Sequence, residues 1–332
     1  MFKPAVSVII SCYNVERFIA SAIHSVLNQT LQDFEIIVVD NASSDNSVEI
    51  VKKIQKTDFR ISLIEQGNLG EGGARNTGIQ YSRADLLAFL DGDDIWHRKK
   101  LEIQLKYFYK HKNIGLISCM TTTIDDDGFT TGWKMGRKIK GNIYHKLIEK
   151  NTIIGGSNIL IPRYSFDHVG VFDTSFFCAD WDIGIRIAKH FSIISIPKIL
   201  VGYRRTRNNL TKDYKLIEEN INKVINKSFM MDKNLSQKFY KVCLSGGVHS
   251  VSALCTVDGD FRQAWEYMKR SFKLSPLSNF RDKERFIHFV FLFLIKTVPS
   301  RILFKTIEEW IKPIMFRIKK GQSFESLQKI NL

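Results

Sequence analysis

The sequence offers no C-x-x-C pair, and none of its apolar runs is expected to span a membrane or to act as a secretory signal. The five cysteines, at 12, 119, 178, 243 and 255, are odd in number and widely spaced, with no C-x-x-C pair. This excludes a disulfide framework and a zinc ribbon, and it reads as reduced, intracellular thiols. The first apolar run, Val6-Ser-Val-Ile-Ile10, is interrupted by Ser11 and Asn14 too soon for a secretory signal. A later run, Phe286–Ile295, is half the length of about twenty residues that a bilayer span requires. No basic-aromatic motif is present to suggest nucleic acid as a partner. Acidic charge is outweighed, leaving a formal net charge of +15. Such a balance favours anionic partners such as nucleotide phosphates or an acidic membrane face.

What the chain does contain is an alternation of β-branched runs with helical periodicities. Val6–Ile10 reads as a strand buried on both faces. Val15, Phe18, Ile19, Ala22, Ile23, Val26 and Leu27 then share one helical face, with Asn14 available as its cap. Phe34–Val39 is a second strand ending at Asp40, and Asp45 can cap the helix that carries Val48, Val51 and Ile54. Ile61–Glu65 is a third strand, Gln66–Gly73 a glycine-rich loop, Ala74–Tyr81 a short helix and Leu86–Leu90 a fourth strand. The alternation predicts an α/β fold with a mostly parallel, Rossmann-like sheet flanked by helices.

In such sheets, ligands bind beyond the carboxyl ends of the strands. Ser11, Tyr13 and Asn14 follow the first strand, Asp40 the second, Gln66 to Asn68 the third and Asp91 to Asp94 the fourth, so four loops converge on one edge. In the last of these, Leu87-Ala-Phe-Leu-Asp-Gly-Asp-Asp94, three carboxylates crowd around Gly92. Carboxylates this close repel one another and resist desolvation, which a cation would relieve; the alternative is a solvated turn.

Taken together, Val6-Ser-Val-Ile-Ile-Ser-Cys-Tyr-Asn14, Phe34-Glu-Ile-Ile-Val-Val-Asp40, Asn68-Leu-Gly-Glu-Gly-Gly-Ala-Arg-Asn-Thr-Gly-Ile79 and Phe89-Leu-Asp-Gly-Asp-Asp94 closely resemble the nucleotide-sugar domain of family 2 glycosyltransferases. Gly170-Val-Phe-Asp173, Ala179-Asp-Trp-Asp-Ile-Gly-Ile-Arg186 and Val201-Gly-Tyr-Arg-Arg205 resemble that family's acceptor-side and closing segments. The resemblance implies a GT-A catalytic domain over residues 1–211, with a donor half at about 1–120 and an acceptor half at about 121–211, followed by a helical region at 212–332. It also implies inverting, metal-dependent transfer from a nucleoside-diphosphate sugar, UDP-linked by preference, to a glycan or lipid-linked acceptor in surface polysaccharide biosynthesis. The Gln-x-x-Arg-Trp motif of processive members is missing, so single addition is expected. A sugar nucleotidyltransferase and an inactive nucleotide- or membrane-binding scaffold are the rival readings.

By the same resemblance, Asp93 binds Mn2+ or Mg2+, with Asp91 facing the ribose or supporting the metal. A divalent cation suits a departing diphosphate, and an all-oxygen site suits these two ions. Asp40 matches the position that hydrogen-bonds the base, although it could instead cap a helix. Arg75, with Asn68, Gly73 and Gly92, belongs to the nucleotide pocket. Asp180 is the expected catalytic base, or else only a helix cap. Trp181, Asp182, Gly156 and Ser157 are expected beside the acceptor; Trp181 could equally be a core aromatic, and Asp182 a supporting residue. Arg204 and Arg205 either neutralise diphosphate or form a solvated surface pair. Ser11, Asn41-Ala42, His97 and Ala179 depart from the usual pattern, which leaves donor identity open.

Beyond residue 211 the pattern is helical. Asp258-Gly-Asp-Phe-Arg-Gln-Ala-Trp-Glu-Tyr267 reads as a helical hairpin bent at Gly259, with Phe261, Ala264 and Trp265 inward. Phe286–Ile295 is flanked by Arg281, Lys283, Arg285, Lys296, Arg301 and Lys305, with Lys319-Lys320 further on. That combination suggests attachment to an anionic membrane surface, the alternative being a helix packed on the core. The localisation expected is cytoplasmic, peripheral on the inner face of the membrane. Oligomeric state is not legible.

Overall fold

In the computed structural model, the residues described are 3–136, 138–153, 155–175, 178–205, 213–297 and 324. Arg301, Lys305 and Lys319-Lys320 of the basic tail lie outside them, as do residues 206–212. Two compact units are present: the described residues of Met1–Tyr144 and Thr152–Thr206 form one, and those of His145–Asn151 and Arg207–Arg317 the other.

The first unit opens with β1 (Val6–Cys12), α1 (Ile19–Leu27), β2 (Phe34–Asp40), α2 (Ser47–Gln55), β3 (Ile61–Glu65), α3 (Gly70–Tyr81) and β4 (Leu86–Asp91). It continues through β5 (Ile95–Trp96), α4 (Lys100–Lys110), β6 (Ile114–Ile124), β7 (Thr130–Met135), β8 (Ile139–Gly141) and α5 (Tyr144–Glu149), the last of which runs on into the second unit. After a 3-10 turn at Gly156–Asn158 come β9 (Leu160–Pro162), α6 (Arg163–Val169), α7 (Ala179–His190) and β10 (Ser192–Arg204). The strands form one sheet in the order β3-β2-β1-β4-β9-β6-β10-β5, with β7 on β6 and β8 on β10.

β3-β2-β1-β4 are parallel, as is β6 with β10, while β9, β5, β7 and β8 pair antiparallel. The sheet is therefore mixed, as the mostly parallel expectation allows, with its continuous parallel part on the β1–β4 side. All residues of β2 are buried, as continuous apolar runs require in a sheet covered on both faces. From β1 the chain moves outward through β2 and β3, then returns to place β4 on the other side of β1. That reversal opens the crevice where ligands of such sheets bind.

Two local expectations give way to packing. The helix after β1 begins only at Ile19, and Asn14 does not cap it. Asn14 adopts φ 52° instead, and its Oδ1 accepts the Ser44 N–H at 2.8 Å, tying the β1 loop to the β2 loop. The glycine-rich loop is shorter than predicted, because Gly70–Gly73 form the first turn of α3. Each such glycine costs a helix about 1 kcal/mol relative to alanine. The cost is offset by close approach: a Cβ at Gly78 would collide with Ile9 of β1, and one at Gly73 with Leu69.

The second unit contains α8 (Tyr214–Met231), α9 (Gln237–Val257), α10 (Phe261–Leu274), α11 (Pro276–Arg281) and α12 (Lys283–Thr297). Asp213, Ser236 and Asp260 cap α8, α9 and α10 by accepting the N–H three residues on. The predicted hairpin is α9–α10, turning at Gly259 with φ +80°. Ala264 is buried in it, while Phe261 and Trp265 are half-buried.

Candidate active site

The parallel register sets the site. Ser11 lies opposite Asp91, and Cys12 opposite Asp40, so the carboxyl ends of β1, β2 and β4 finish level with one another. Ser11 donates its hydroxyl to Asp91 Oδ1 at 3.2 Å. Gly92 donates its N–H to the Ser11 carbonyl at 2.9 Å, and a Cβ there would meet that oxygen at 2.8 Å, so only glycine fits this approach.

Arg75 is the cation of the edge. Its side chain is 2% exposed, and it donates to Asp91 Oδ1 at 2.8 Å and pairs with Glu71 one helical turn back. The Phe172 ring lies 5.5 Å from the guanidinium carbon. Burial by itself would lower its pKa, but the carboxylates of Glu71, Asp91 and Asp180 hold it above the usual arginine value. A Cβ at Gly156 would occupy the space of this guanidinium, which explains a glycine in the turn before β9.

The three aspartates of the β4 turn separate by environment. Asp91 keeps a fifth of its side chain exposed. Burial, then the Asp91 carboxylate, push Asp93 up to about 7, with Arg204 pulling the other way. Asp94 is fully buried and raised well above the usual carboxylate range by burial, then by Asp93 and Asp91. It accepts the Ser157 hydroxyl at 2.6 Å and the Arg204 N–H at 2.9 Å, binding β4 to the 3-10 turn and to β10. The three therefore do not surround one cation: Asp91 and Asp93 are the two that remain candidates. Among the described residues no group of three or more His, Cys, Asp or Glu side chains is arranged to hold a metal. Two hard oxygen donors at the crevice mouth fit a divalent ion whose remaining ligands come from phosphate oxygens and water.

Asp40 is 3% exposed. Its Oδ2 accepts the Ser43 N–H at 3.1 Å, but its Oδ1 is buried without a hydrogen-bond partner. Asn68 accepts from Asn41 Nδ2 at 3.1 Å and from the Gly70 N–H at 3.0 Å, shaping the loop beside it. Tyr13 is half-exposed at the same edge. Asp180 sits in the first turn of α7; burial raises its pKa, and Arg75 opposes the rise.

Several expected acceptor-side residues have other tasks. Trp181 is 2% exposed and belongs to the core. Asp182 is buried and accepts Arg186 Nε at 2.8 Å, and Arg186 in turn donates to the carbonyls of Val169 and Val171, so this pair anchors the segment before α7. Ser157 is 2% exposed; besides donating to Asp94 it accepts the Asp91 N–H at 3.0 Å. Arg204, expected at a diphosphate or in solvent, is 3% exposed and donates to the carbonyls of Asp93, Asp125 and Asp126. Two residues were not singled out by sequence. Glu71 was read as loop, and only once α3 starts at Gly70 does it stand four residues before Arg75 on one helix face. Asn76 donates to the Phe172 carbonyl and accepts its N–H, at 2.8 and 2.9 Å, a pairing across 96 positions.

The pattern describing glycosyl transferase family 2 matches residues 7–170. An uncharacterized glycosyltransferase of Methanocaldococcus jannaschii is 32% identical over 208 residues, 61% of this chain and 72% of that protein. The chain belongs to glycosyltransferase family 2. A putative teichuronic acid biosynthesis glycosyltransferase of Bacillus subtilis, TuaG, is 30% identical over 64% of this chain and 83% of its own length. An Escherichia coli protein, the UDP-Glc:alpha-D-GlcNAc-diphosphoundecaprenol beta-1,3-glucosyltransferase WfgD, is 36% identical over 48% of this chain and 60% of its own length. Solved structures agree on the GT-A fold. Mannosyltransferase PcManGT of Pyrobaculum calidifontis, solved with GDP-Man and Mn2+, has a TM-score of 0.60 at 16% identity, covering 95% of this chain and 86% of its own. S. aureus TarS with UDP-GlcNAc gives 0.57 at 15% identity, covering 94% and 93%. The matched residues 7–170 of this family 2 glycosyltransferase fall in the first unit, apart from His145–Asn151.

Proposed function

We propose that this glycosyltransferase transfers a sugar, with inversion, from a UDP-sugar to a hydroxyl of a lipid-linked glycan in surface polysaccharide assembly. The observation that carries the reading is the convergence of Asp40, Arg75, Asp91, Asp93 and Asp180 on one sheet edge, with the Asp40 Oδ1 acceptor left unpaired. A buried, orphaned acceptor costs free energy, and the imide N–H of a uracil would satisfy it. The names of WfgD and TuaG support the acceptor class.

Asp91 and Asp93 would hold Mn2+ or Mg2+ with the donor diphosphate, the metal supplying charge stabilisation to the leaving group. Arg75, fixed against Asp91, adds a positive charge at the head of the crevice. Asp180 takes the proton of the attacking hydroxyl: burial raises its affinity for that proton, and Arg75 opposes the rise. No helix among the described residues is long and apolar enough to cross a membrane, so a lipid-borne acceptor would be met at a surface.

The reading is tested by thermal shift against a panel of nucleotide sugars with manganese. Stabilisation by UDP-sugars above GDP-sugars is expected, and absence of any shift would overturn the donor assignment. Asp93→Ala is expected to abolish metal-dependent hydrolysis of the donor.

A further inference from the structure

Besides Met230 and Met231 at the end of α8, the exposed large apolar side chains described in the second unit lie on α11 and α12. Phe280, Phe286, Phe293, Val290 and Leu277 are 56%, 40%, 46%, 36% and 68% exposed, on α11 and α12. The rings form a connected layer. Phe280 meets Phe286 at 5.8 Å and Phe272 of α10 at 5.2 Å, Phe272 meets Phe289 at 4.5 Å, and Trp265 of α10 meets Phe289 at 5.6 Å. The opposite side of α12 is buried, with Arg285, His288, Phe291 and Leu292 turned inward. So the apolar run identified in the sequence is divided between core and surface, and the surface half is extended by rings from two other helices.

Cations dominate the border of this layer, although exposed Glu266 lies within electrostatic reach of Lys296 and Glu284 is exposed on α12. Along α12 the stripe Phe286, Phe289/Val290, Phe293 has Lys283 one turn before it and Lys296 one turn after it. Lys296 Nζ lies 5.3 Å from the Trp265 ring centre. Lys273 of α10 and Arg281 of α11 are exposed beside Phe272 and Phe280 in the chain. The acids of the region are engaged elsewhere: Glu284 with Lys150 at 2.8 Å, Glu266 with Lys269 at 2.8 Å, and Asp282 with the N–H groups of Glu284 and Arg285.

We propose that this aromatic face of α10, α11 and α12 docks on an anionic phospholipid surface, the rings entering the interface and Lys273, Arg281, Lys283 and Lys296 meeting headgroup phosphates. Contiguous exposed apolar surface marks an interaction site, and a cationic border selects a partner that is apolar beneath and negative at its boundary. The inference deepens the lipid-acceptor reading above, but it is read without donor or acceptor, so either can fail alone.

The test is co-sedimentation of the full chain with vesicles of phosphatidylcholine alone or mixed equally with phosphatidylglycerol. Binding to the mixed vesicles, weakened by salt, is expected. Phe280→Ser/Phe293→Ser should weaken it by about tenfold, and Lys283→Glu/Lys296→Glu by a similar factor on anionic vesicles. Thermal unfolding and donor-induced stabilisation should match the wild type in both variants, showing that the fold persists. A wild-type chain that stays in the supernatant overturns the proposal, as does a ring variant that sediments like the wild type. It is also overturned if the ring substitutions break a dimer in light scattering while vesicle binding is absent.

Discussion

At the carboxyl edge of the sheet, Asp40 Oδ1 and Arg75 Nε are buried without hydrogen-bond partners, whereas in the helical unit Ser245, Ser271 and Asn279 close a ring of hydrogen bonds on one another at 2.9 to 3.1 Å. His288 likewise bonds Thr256 at 2.7 Å and His249 at 3.2 Å. Buried polar atoms are costly when unpaired, so a cluster that satisfies itself is structural, and unpaired atoms at the crevice support the proposed donor site. Trp265 Nε1 of α10, likewise buried without a hydrogen-bond partner, and Arg285 qualify the contrast: Arg285 pairs with Glu149 at 2.8 Å yet leaves Nε and Nη1 without hydrogen bonds. It is fully buried beside the α9 backbone, far from any strand end in sequence, and its Glu149 partner fixes it to the short segment His145–Asn151.

Substitutions that break this contrast are ordered by size. Asp180→Asn should keep donor-induced stabilisation and lose about 10³-fold in transfer rate, since only the proton acceptor is removed; full transfer would put the base elsewhere. Arg75→Met removes a buried cation from between two carboxylates and should cost about 3–5 kcal/mol in chemical denaturation, together with donor binding. Asp182→Ala strands buried Arg186 and should cost about 3 kcal/mol while leaving the donor-induced shift intact, which separates it from its neighbour Asp180.

The helical unit should respond to acid in its own way. Burial, and then Lys150, lower His288 from 6.5 to about 4, so the folded state refuses a proton that the unfolded state accepts between these values. Stability should therefore be intact above pH 6.5 and fall as pH drops toward 4, by about 3 kcal/mol from His288 and further from buried His249, whose pKa is lowered in the same direction. His288→Gln should flatten the pH profile of unfolding; an unchanged profile would place the acid sensitivity in other groups. The smallest effect expected is at Ala42, which holds φ 66°, a conformation that favours glycine. Ala42→Gly should gain up to about 1 kcal/mol by relieving that strain, read as a small rise in Tm.

The carboxyl-edge rule located Ser11, Asp40 and Asp91 correctly because strand runs of β-branched residues end visibly in the chain. Glu71 was hidden for a specific reason: the four residues Gly70-Glu-Gly-Gly73 carry weak helix propensity, yet they form the first turn of α3, where a Cβ at Gly73 would collide with Leu69. Asp180 and Asp182 look alike in sequence. Two positions along α7 they face different surroundings, one toward Arg75 and the other onto Arg186. For Ser157 the sequence leaves acceptor contact and an ordinary loop open, and for Arg204 diphosphate contact and a solvated surface; in the structure they hold Asp94, Asp91 and the β6–β7 turn in position.

The sequence by itself determined the family, the alternation that builds a sheet, and the edge on which its polar residues gather. Periodicity and motif order are properties of a chain read in one dimension. Tertiary structure decided which aspartate faces the crevice, which is sealed beneath it, and which side of the Phe286–Ile295 run is surface. Those outcomes depend on register and on what packs opposite each side chain, and a burial that turns one carboxylate into a strut and its neighbour into a candidate ligand has no signature in residue type.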